Sequence, residues 1–370
     1  MLKNTEIFGG VYKGAKVLIT GHTGFKGSWL ALWLSQLGAD VYGISIDIPT
    51  KESNFIASDI SSLIHDVRLD ITDLTKLTET VEKIQPDFIF HLAAQALVGN
   101  AHKYPVDTIS TNLMGSVNIM EAIRHSNKKI CLIMITSDKV YDNVEWCWGY
   151  KETDLIGGKD PYSSSKGMAE LAIKTYFQTY FKFNENIKIA IARAGNVIGG
   201  GDWALDRIVP DCVQAWSQKK CVNIRSPKST RPWQHVLEPL SGYLLLGEKL
   251  LSNSIESGSS YNFGPSEQNN RSVGELIDKF TSSWPSAKWE DVSSMDKQFS
   301  EATLLKLNCE KAYFDLSWAS SLNFDQTVRM TLSWYLYYYK DNKQMQEYSI
   351  RQINEYIGLS IKKKILWAIS

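Results

Sequence analysis

Lys16-Val17-Leu18-Ile19-Thr20-Gly21-His22-Thr23-Gly24-Phe25-Lys26-Gly27-Ser28-Trp29-Leu30 is the stretch that decides the fold. Its apolar opening reads as a buried strand. A G-x-x-G-x-x-G run follows, and then a helical pattern from Ser28 to Leu37 with Gly38 as its stop. Glycines here allow a tight turn and a close backbone approach, so the free N–H groups and dipole of the next helix can meet a pyrophosphate. Asp47 closes a second predicted strand 20 residues beyond Gly27. A carboxylate at that place accepts a ribose 2′-hydroxyl and repels a 2′-phosphate, which favours NAD over NADP; opening the turn at Pro49 is its alternative role. Asp70-Ile71, after a short strand at 66–69, either flanks the adenine or caps the next helix.

Outward from that stretch, short apolar runs alternate with helical patterns. Asp40–Ile46, Asp87–Ala94, Ile130–Ser137 and Lys188–Gly195 are nearly continuous in apolar residues, as strands covered on both faces must be. Helices are predicted over Thr75–Gln85, Val106–His125 and Tyr162–Phe181. The alternation predicts an α/β fold, a doubly wound parallel Rossmann-type sheet. Beyond Asn196, glycines, prolines and tryptophans punctuate shorter elements, which predicts a smaller mixed α/β lobe. A helix at Leu237–Leu251 and a strand at Ser260–Phe263 return to the first domain. The expected division is therefore 1–195, rejoined by about 234–264, with 196–370 mainly substrate lobe and an interleaved boundary.

With 370 residues, 44% of them hydrophobic, and 40 basic against 40 acidic side chains, the chain has the composition of a soluble globule. It lacks the charge surplus that draws a protein to nucleic acid or an anionic membrane. Five scattered cysteines form no C-x-x-C pair, so neither a disulfide framework nor a metal site is expected, and a reducing cytoplasm fits. The tail, Lys362-Lys363-Lys364 before Ile365-Leu366-Trp367-Ala368-Ile369, is too short in apolar residues to anchor in a membrane unaided and is expected to dock on its own or a neighbouring subunit.

Chemistry concentrates at two places. Tyr162-Ser163-Ser164-Ser165-Lys166 sets a phenol and an ammonium on one helix face. Thr136-Ser137-Asp138-Lys139 stands at the carboxyl end of a predicted strand, where open α/β sheets place ligands. Lys166 favours the phenolate of Tyr162, and Ser137 hydrogen-bonds the same substrate oxygen. Such an assembly takes the proton of an alcohol while hydride leaves its carbon.

Taken together, the glycine run, His91-Leu92-Ala93-Ala94, Thr111-Asn112, Ser137, Tyr162 and Lys166 resemble the extended short-chain dehydrogenases/reductases. Thr20–Leu30, Thr136–Tyr150, Asp160–Lys166, Arg193–Trp203 (RAGNVIGGGDW) and Arg231–Leu244 (RPWQHVLEPLSGYL) are similar to the sugar-nucleotide 4,6-dehydratases, most of all to the branch that uses CDP-glucose. The likeness thins but extends to about residue 340. It implies NAD held by Gly21, Thr23, Gly24, Phe25, Lys26, Gly27, Asp47, Asp70, Ile71, Leu92, Ala93, Ala94, Thr111, Tyr162 and Lys166. It implies catalysis by Ser137, Asp138, Lys139, Tyr162 and Lys166. Asp138 would protonate the departing C6 hydroxyl and Lys139, where most relatives carry Glu, would take the C5 proton. Lys139 must then be transiently neutral, which partial burial and a neighbouring Lys166 favour.

The resemblance further implies substrate contacts from Gln95, Asn196, Arg207, Arg231 and His235, with a surface or salt-bridged role as the alternative for Arg207. Trp146, Trp148 and Trp233 either wall the substrate or belong to the core. Ala96, Gly99 and His102 depart from the family's pattern beside the nicotinamide and sugar. The implied activity is that of a lyase, a hydro-lyase acting on a nucleotide-linked hexose in deoxysugar and O-antigen/lipopolysaccharide biosynthesis. A sugar-nucleotide 4-epimerase needs no acid at C6, so Asp138-Lys139 speaks against it, and a non-catalytic NAD-binding sensor has no reason to keep Ser137, Tyr162 and Lys166 together. A homodimer or homotetramer is expected, built on 106–125 and 162–181 with Leu171, Ile173 and Phe177 in excess of one sheet-facing stripe.

Overall fold

In β1 (Lys16–Thr20), Val17 and Ile19 are buried on one side and Leu18 on the other. The same alternation holds in the strand at Ile130–Ile135, where Cys131, Ile133 and Ile135 pack on one face and Ile130, Leu132 and Met134 on the other. Such double burial is what continuous apolar runs require. The computed structural model describes residues 4–266, 269–285, 287–293 and 304–369. Its centre is a 7-stranded sheet in the order β3–β2–β1–β4–β5–β6 followed by Ser260–Asn262. Here β2 is Asp40–Ser45, β3 His65–Arg68, β4 Phe88–His91, β5 Ile130–Ile135 and β6 Ile187–Arg193. All pairings in this sheet are parallel. Thr20 lies opposite both Ile44 and His91, so the carboxyl ends align. The order reverses between β1 and β4, which opens a crevice over those ends.

Several helices depart from expectation in instructive ways. The first, α1, spans Phe25–Gln36 and begins three residues before the predicted Ser28, because the extended backbone of Gly24 forms its N-cap. The expected single helix over 106–125 is divided into Pro105–Ile109, a π-helical turn at Ser110–Met114, and Gly115–Ile123, and a separate short helix, Val98–Lys103, comes before it. Pro105 carries no N–H to continue that short helix. The helix at Pro161–Tyr176 starts on Asp160, whose Oδ1 accepts the N–H groups of Tyr162 and Ser163 at 2.9 and 3.0 Å. It ends in a second π-helical turn, Phe177–Phe181.

Trp29, Leu30, Ala31, Leu32, Trp33 and Leu34 of α1 are all fully buried. One side rests on the sheet, and the other is covered by the helix Met345–Lys362 and the residues after it. Trp33 meets Tyr356 edge-on at 5.7 Å, and Trp367 stacks on Phe8 at 4.8 Å. The lysine-flanked tail thus docks on its own chain. Leu237–Leu251 lies along β5 and β6. The smaller elements beyond 196 include the paired strands Cys221–Ile224 and Lys288–Asp291, and Thr230–Pro232 with Asn270–Ser272.

One buried carboxylate ties three of these pieces together. Glu238 accepts the N–H groups of Ser321 and Leu322 at 3.0 and 2.6 Å and the hydroxyl of Tyr356 at 2.8 Å. Burial pushes its carboxyl up to about 7. In Glu238→Gln an amide NH2 must face a backbone N–H, so unfolding in urea at pH 6 should show a loss of about 1–3 kcal/mol at unchanged slope. Folding raises this group's proton affinity above the ordinary 4.5, so its contribution is full below that pH. The parent's advantage over the variant should therefore shrink as pH rises through about 7.

Candidate active site

The turn after β1 is built by contact. Gly21 has φ +80°, and a Cβ on it would stand 2.7 Å from the amide nitrogen of Ala93; a Cβ on Gly27 would stand 2.1 Å from the carbonyl oxygen of Gly21. The run therefore seats the first turn of α1 on the ends of β1 and β4. No side chain caps that helix, so its first N–H groups remain available at the crevice. Thr23 Oγ1 donates to the carbonyl oxygen of Asp47 at 2.7 Å, and the Asp47 side chain is exposed past β2. Leu92, Ala93 and Ala94 follow β4 half-buried, and Thr111 sits half-buried in the π-helical turn. Ile71 is buried against Gly115, whereas Asp70 is exposed and accepts the N–H of Thr72 at 2.9 Å in a turn; the cap of the next helix, Leu74–Ile84, is Asp73.

Beside this cradle, β5 delivers the second group. Ser137 caps the short 3-10 turn Asp138–Val140; its Oγ accepts the N–H of Lys139 at 3.2 Å and donates to Asp138 Oδ1 at 3.0 Å. The Tyr162 hydroxyl lies near enough to Ser137 for that side chain to favour its ionised form. Burial, with Asp138 nearby, raises the phenol's proton affinity, while the Ser137 side chain and the Arg207 charge oppose that rise. Lys166 is buried one turn further on and has no hydrogen-bond partner among the described residues; burial brings its ammonium down to about 8 against the pull of Glu170. Lys26 is half-buried. Burial lowers it to about 8, opposed by Asp138 and reinforced by Arg207 and Lys166. His91 bridges Thr20 Oγ1 at 2.8 Å and Ser116 Oγ at 3.4 Å, and burial with the Lys166 charge pushes it down to about 3. A glycine cradle, an uncapped helix start, an exposed carboxylate past β2 and an unbonded buried ammonium fit a dinucleotide with ribose hydroxyls.

Asp138 is buried, and its carboxylate lies flat against the backbone of Gly195, where a Cβ would stand 1.9 Å from Oδ2. Asn196 Nδ2 approaches the same oxygen at 3.5 Å. Lys139 Nζ lies 6.0 Å from the centroid of the Tyr162 ring. Its side chain is exposed, so the partial burial expected of it is absent. Arg207 pairs with Asp202 at 2.7 Å and sends its charge towards Tyr162 and Lys26. Arg231 is half-buried on the strand Thr230–Pro232, with Nη1 2.9 Å from the carbonyl oxygen of Thr230.

Two expected substrate contacts are arranged otherwise. His235 does not reach the crevice: it is fully buried, edge-on to Trp29 at 6.2 Å, and burial holds it near 3. Gln95 spends its amide inside its own loop, donating to the carbonyl oxygen of Leu97 and to Thr108 Oγ1, both at 3.0 Å. Trp233 is core, while Trp146 and Trp148 are exposed on the loop after the catalytic turn. Ala96, Gly99 and His102 are exposed beside the crevice, and a Cβ on Gly99 would stand 3.3 Å from Asp206 Oδ2.

Two further features organise the site: Asn112, which the resemblance names without a role, and an ion pair that sequence reasoning passed over. Asn112, turned inward by the π-helical turn, exchanges hydrogen bonds with the backbone of Gln95 at 2.8 and 3.0 Å and donates to Ser165 at 2.8 Å. Glu170 and Arg193 form a fully buried ion pair. The signal for it was Glu170 at i+4 from Lys166 on the Tyr162 face, paired with an arginine ending an apolar strand. Among the described residues no group of three or more His, Cys, Asp or Glu is placed to hold a metal, and no helix is long and apolar enough to cross a membrane.

Fold and site together define a dinucleotide-dependent enzyme of the extended short-chain dehydrogenase/reductase class, carrying an acid and an amine beside the Ser–Tyr–Lys set. Residues 18–331 match the GDP-mannose 4,6-dehydratase family model. The chain belongs to that family of sugar-nucleotide dehydratases, and NAD is its cofactor. Over 95% of this chain and 98% of the relative, it is 39% identical to a CDP-glucose 4,6-dehydratase of Salmonella typhimurium. A dTDP-glucose 4,6-dehydratase of Haemophilus influenzae is 25% identical over 87% of this chain and 98% of its own. The fold is shared with a UDP-glucose 4-epimerase of Thermotoga maritima solved with UDP-glucose, at TM-score 0.74 and 19% identity over 88% of this chain and 100% of that one. A dTDP-glucose 4,6-dehydratase of Bacillus anthracis solved with NAD gives TM-score 0.71 and 18% identity over 91% and 100%.

The tightest steric fact at the site yields a test. Gly195→Ala must push the Asp138 carboxylate aside, so turnover should fall roughly a hundredfold while the unfolding temperature moves by only a few degrees. Parent-like turnover would show that the carboxylate's seat does not matter.

Proposed function

We propose that this chain converts CDP-glucose to CDP-4-keto-6-deoxyglucose, with Ser137, Asp138, Lys139, Tyr162 and Lys166 as its catalytic residues. The observation that carries the reading is the pairing of Asp138, bonded to Ser137, with an exposed Lys139 whose ammonium lies over the Tyr162 ring. Tyr162, favoured as phenolate by Lys166, takes the proton of the C4 hydroxyl, and Ser137 steadies that oxygen. NAD, held at the glycine turn of Gly21, Gly24 and Gly27, would supply the hydride acceptor for C4 and the hydride donor for C6. Once C4 is a ketone, the C5 proton is acidic and Lys139 removes it. Asp138 gives a proton to the C6 oxygen, the C6–O bond breaks and water leaves. Lys139 then returns its proton to C5, so the net change is loss of one water. A 4-epimerase requires neither of these last two groups.

Gly21 to Gly27, Asp47, Asp70-Ile71, Leu92–Ala94 and Thr111 hold the cofactor in this reading, within 1–195 rejoined by about 234–264, and 196–370 contributes most of the substrate lobe. Asn196, Arg207 and Arg231 receive the diphosphate, a task suited to guanidinium groups. The cytidine assignment rests on likeness to the Salmonella typhimurium enzyme. The free cysteines and balanced charge support a cytoplasmic enzyme of deoxysugar synthesis without nucleic-acid or membrane partners.

Adding CDP-glucose should generate the alkali-induced absorbance of a 4-keto sugar. With Lys139→Met, NADH absorbance should build up without product, and turnover should fall about a hundred- to ten-thousandfold. Turnover within a few-fold of the parent would place the base elsewhere.

We further infer that two copies associate through the helices at 105–123 and 161–176, as a homodimer or a homotetramer made of such dimers. Val106 is 76% exposed and Leu171 56%, on neighbouring helices of one face, with Met114 and Tyr180 also exposed; Ile173, expected among them, is core. Sedimentation at micromolar concentration should show at least twice the 41.8 kDa chain mass, and Leu171→Glu should reduce it. A parent found only at 41.8 kDa would exclude this assembly.

A further inference from the structure

We propose that Glu170 is a positioning residue whose one carboxylate holds three catalytic segments in register, an inference that rests on the dehydratase reading for its catalytic consequence. Oε1 accepts the Thr136 hydroxyl at 2.7 Å and Arg193 Nε at 2.8 Å, and Oε2 accepts Arg193 Nη2 at 2.5 Å. Arg193 Nη1 goes on to Tyr141 Oη at 2.6 Å and to the carbonyl oxygen of Glu152 at 3.3 Å. Both members of the pair are fully buried. A buried ion pair repays its desolvation only with so complete a set of partners, and apolar residues of similar volume would often stabilise a core as well. What apolar residues cannot supply is direction.

Each partner adjoins a working group. Thr136 directly precedes Ser137, Asp138 and Lys139. Glu170 itself stands one turn beyond Lys166 and two beyond Tyr162 on the same helix face. Arg193 ends β6 and leads into Gly195, the seat of the Asp138 carboxylate, and Asn196. Tyr141 closes the turn Asp138–Val140 from its other end. The acid and amine in the turn after β5, the phenol and ammonium on the helix, and the floor under the acid thus meet at a single group. A shift of one against another by about 1 Å is enough to cost a hundredfold in rate.

Thr136→Val tests this gently, because it removes one hydrogen bond, keeps the volume and leaves the ion pair intact; Thr136→Ser keeps the bond. In Thr136→Val, amide exchange in the turn 138–140 should accelerate about tenfold while that of β5 at 131–134 stays at the parent rate. With CDP-glucose deuterated at C4, kcat should fall about tenfold, KM should stay within about threefold, and the isotope effect on turnover should rise. Thr136→Ser should restore all three. Equal acceleration of exchange in the turn and in β5, or an unchanged isotope effect, would overturn the proposal, since loss of folded protein alone alters neither the contrast nor the isotope effect. If the parent does not consume CDP-glucose, the substrate reading fails by itself and the exchange contrast alone decides the positioning role.

Discussion

The carbonyl oxygen of Gly21 occupies the space that any side chain at position 27 would need, and the carboxyl end of the sheet is built outward from that contact. It allows α1 to start at Phe25, hard against the strand it follows, and so brings unbonded N–H groups to the crevice. The parallel register then sets β4 and β5 beside β1 with their ends aligned. Ser137, Asp138 and Lys139 leave β5 within reach of that crevice because the strand has nowhere else to deliver them.

Charge at the site is unequal by design of position. Lys26, Lys166 and Arg207, the last paired with buried Asp202, gather from three separate elements near the buried Asp138, with Lys139 at the exposed edge. Burial makes the ammonium groups of Lys26 and Lys166 easier to deprotonate, which lowers the cost of keeping them close to one another. A crevice lined this way gains by admitting an anion. The two phosphate-bearing molecules of the reaction, cofactor and substrate, carry the charge that the protein leaves out.

What could be read in the sequence follows from how local its cause is. The strands were legible because burial on both faces leaves an unbroken apolar run, and the cofactor turn because glycine spacing records close contacts. Helix starts were misplaced where the cap is a glycine, as at Gly24, since glycine carries no side chain to announce the cap. The π-helical turn at Ser110–Met114 leaves no periodic trace, so the inward aim of Asn112 was invisible. His235 looked like a substrate contact because its neighbours in sequence border the site, yet Trp29 and the core enclose it. The Glu170–Arg193 pair spans the distance from a helix to a strand end, and only tertiary packing brings the two together.

The covering of α1 has a bearing on the order of folding. On its outer side Trp33 packs on Phe8, Tyr356 and Trp367, the last two some 300 residues further along the chain. A nascent chain that has already emerged through β6 therefore holds six of the seven strands, with the outer side of an apolar helix still lacking this cover. Until residues 345–368 arrive, the dinucleotide cradle rests on a helix without its lid, and the growing polypeptide must be kept from aggregating through that bare flank. Cover for the helix beneath the cradle thus comes from residues far along the chain.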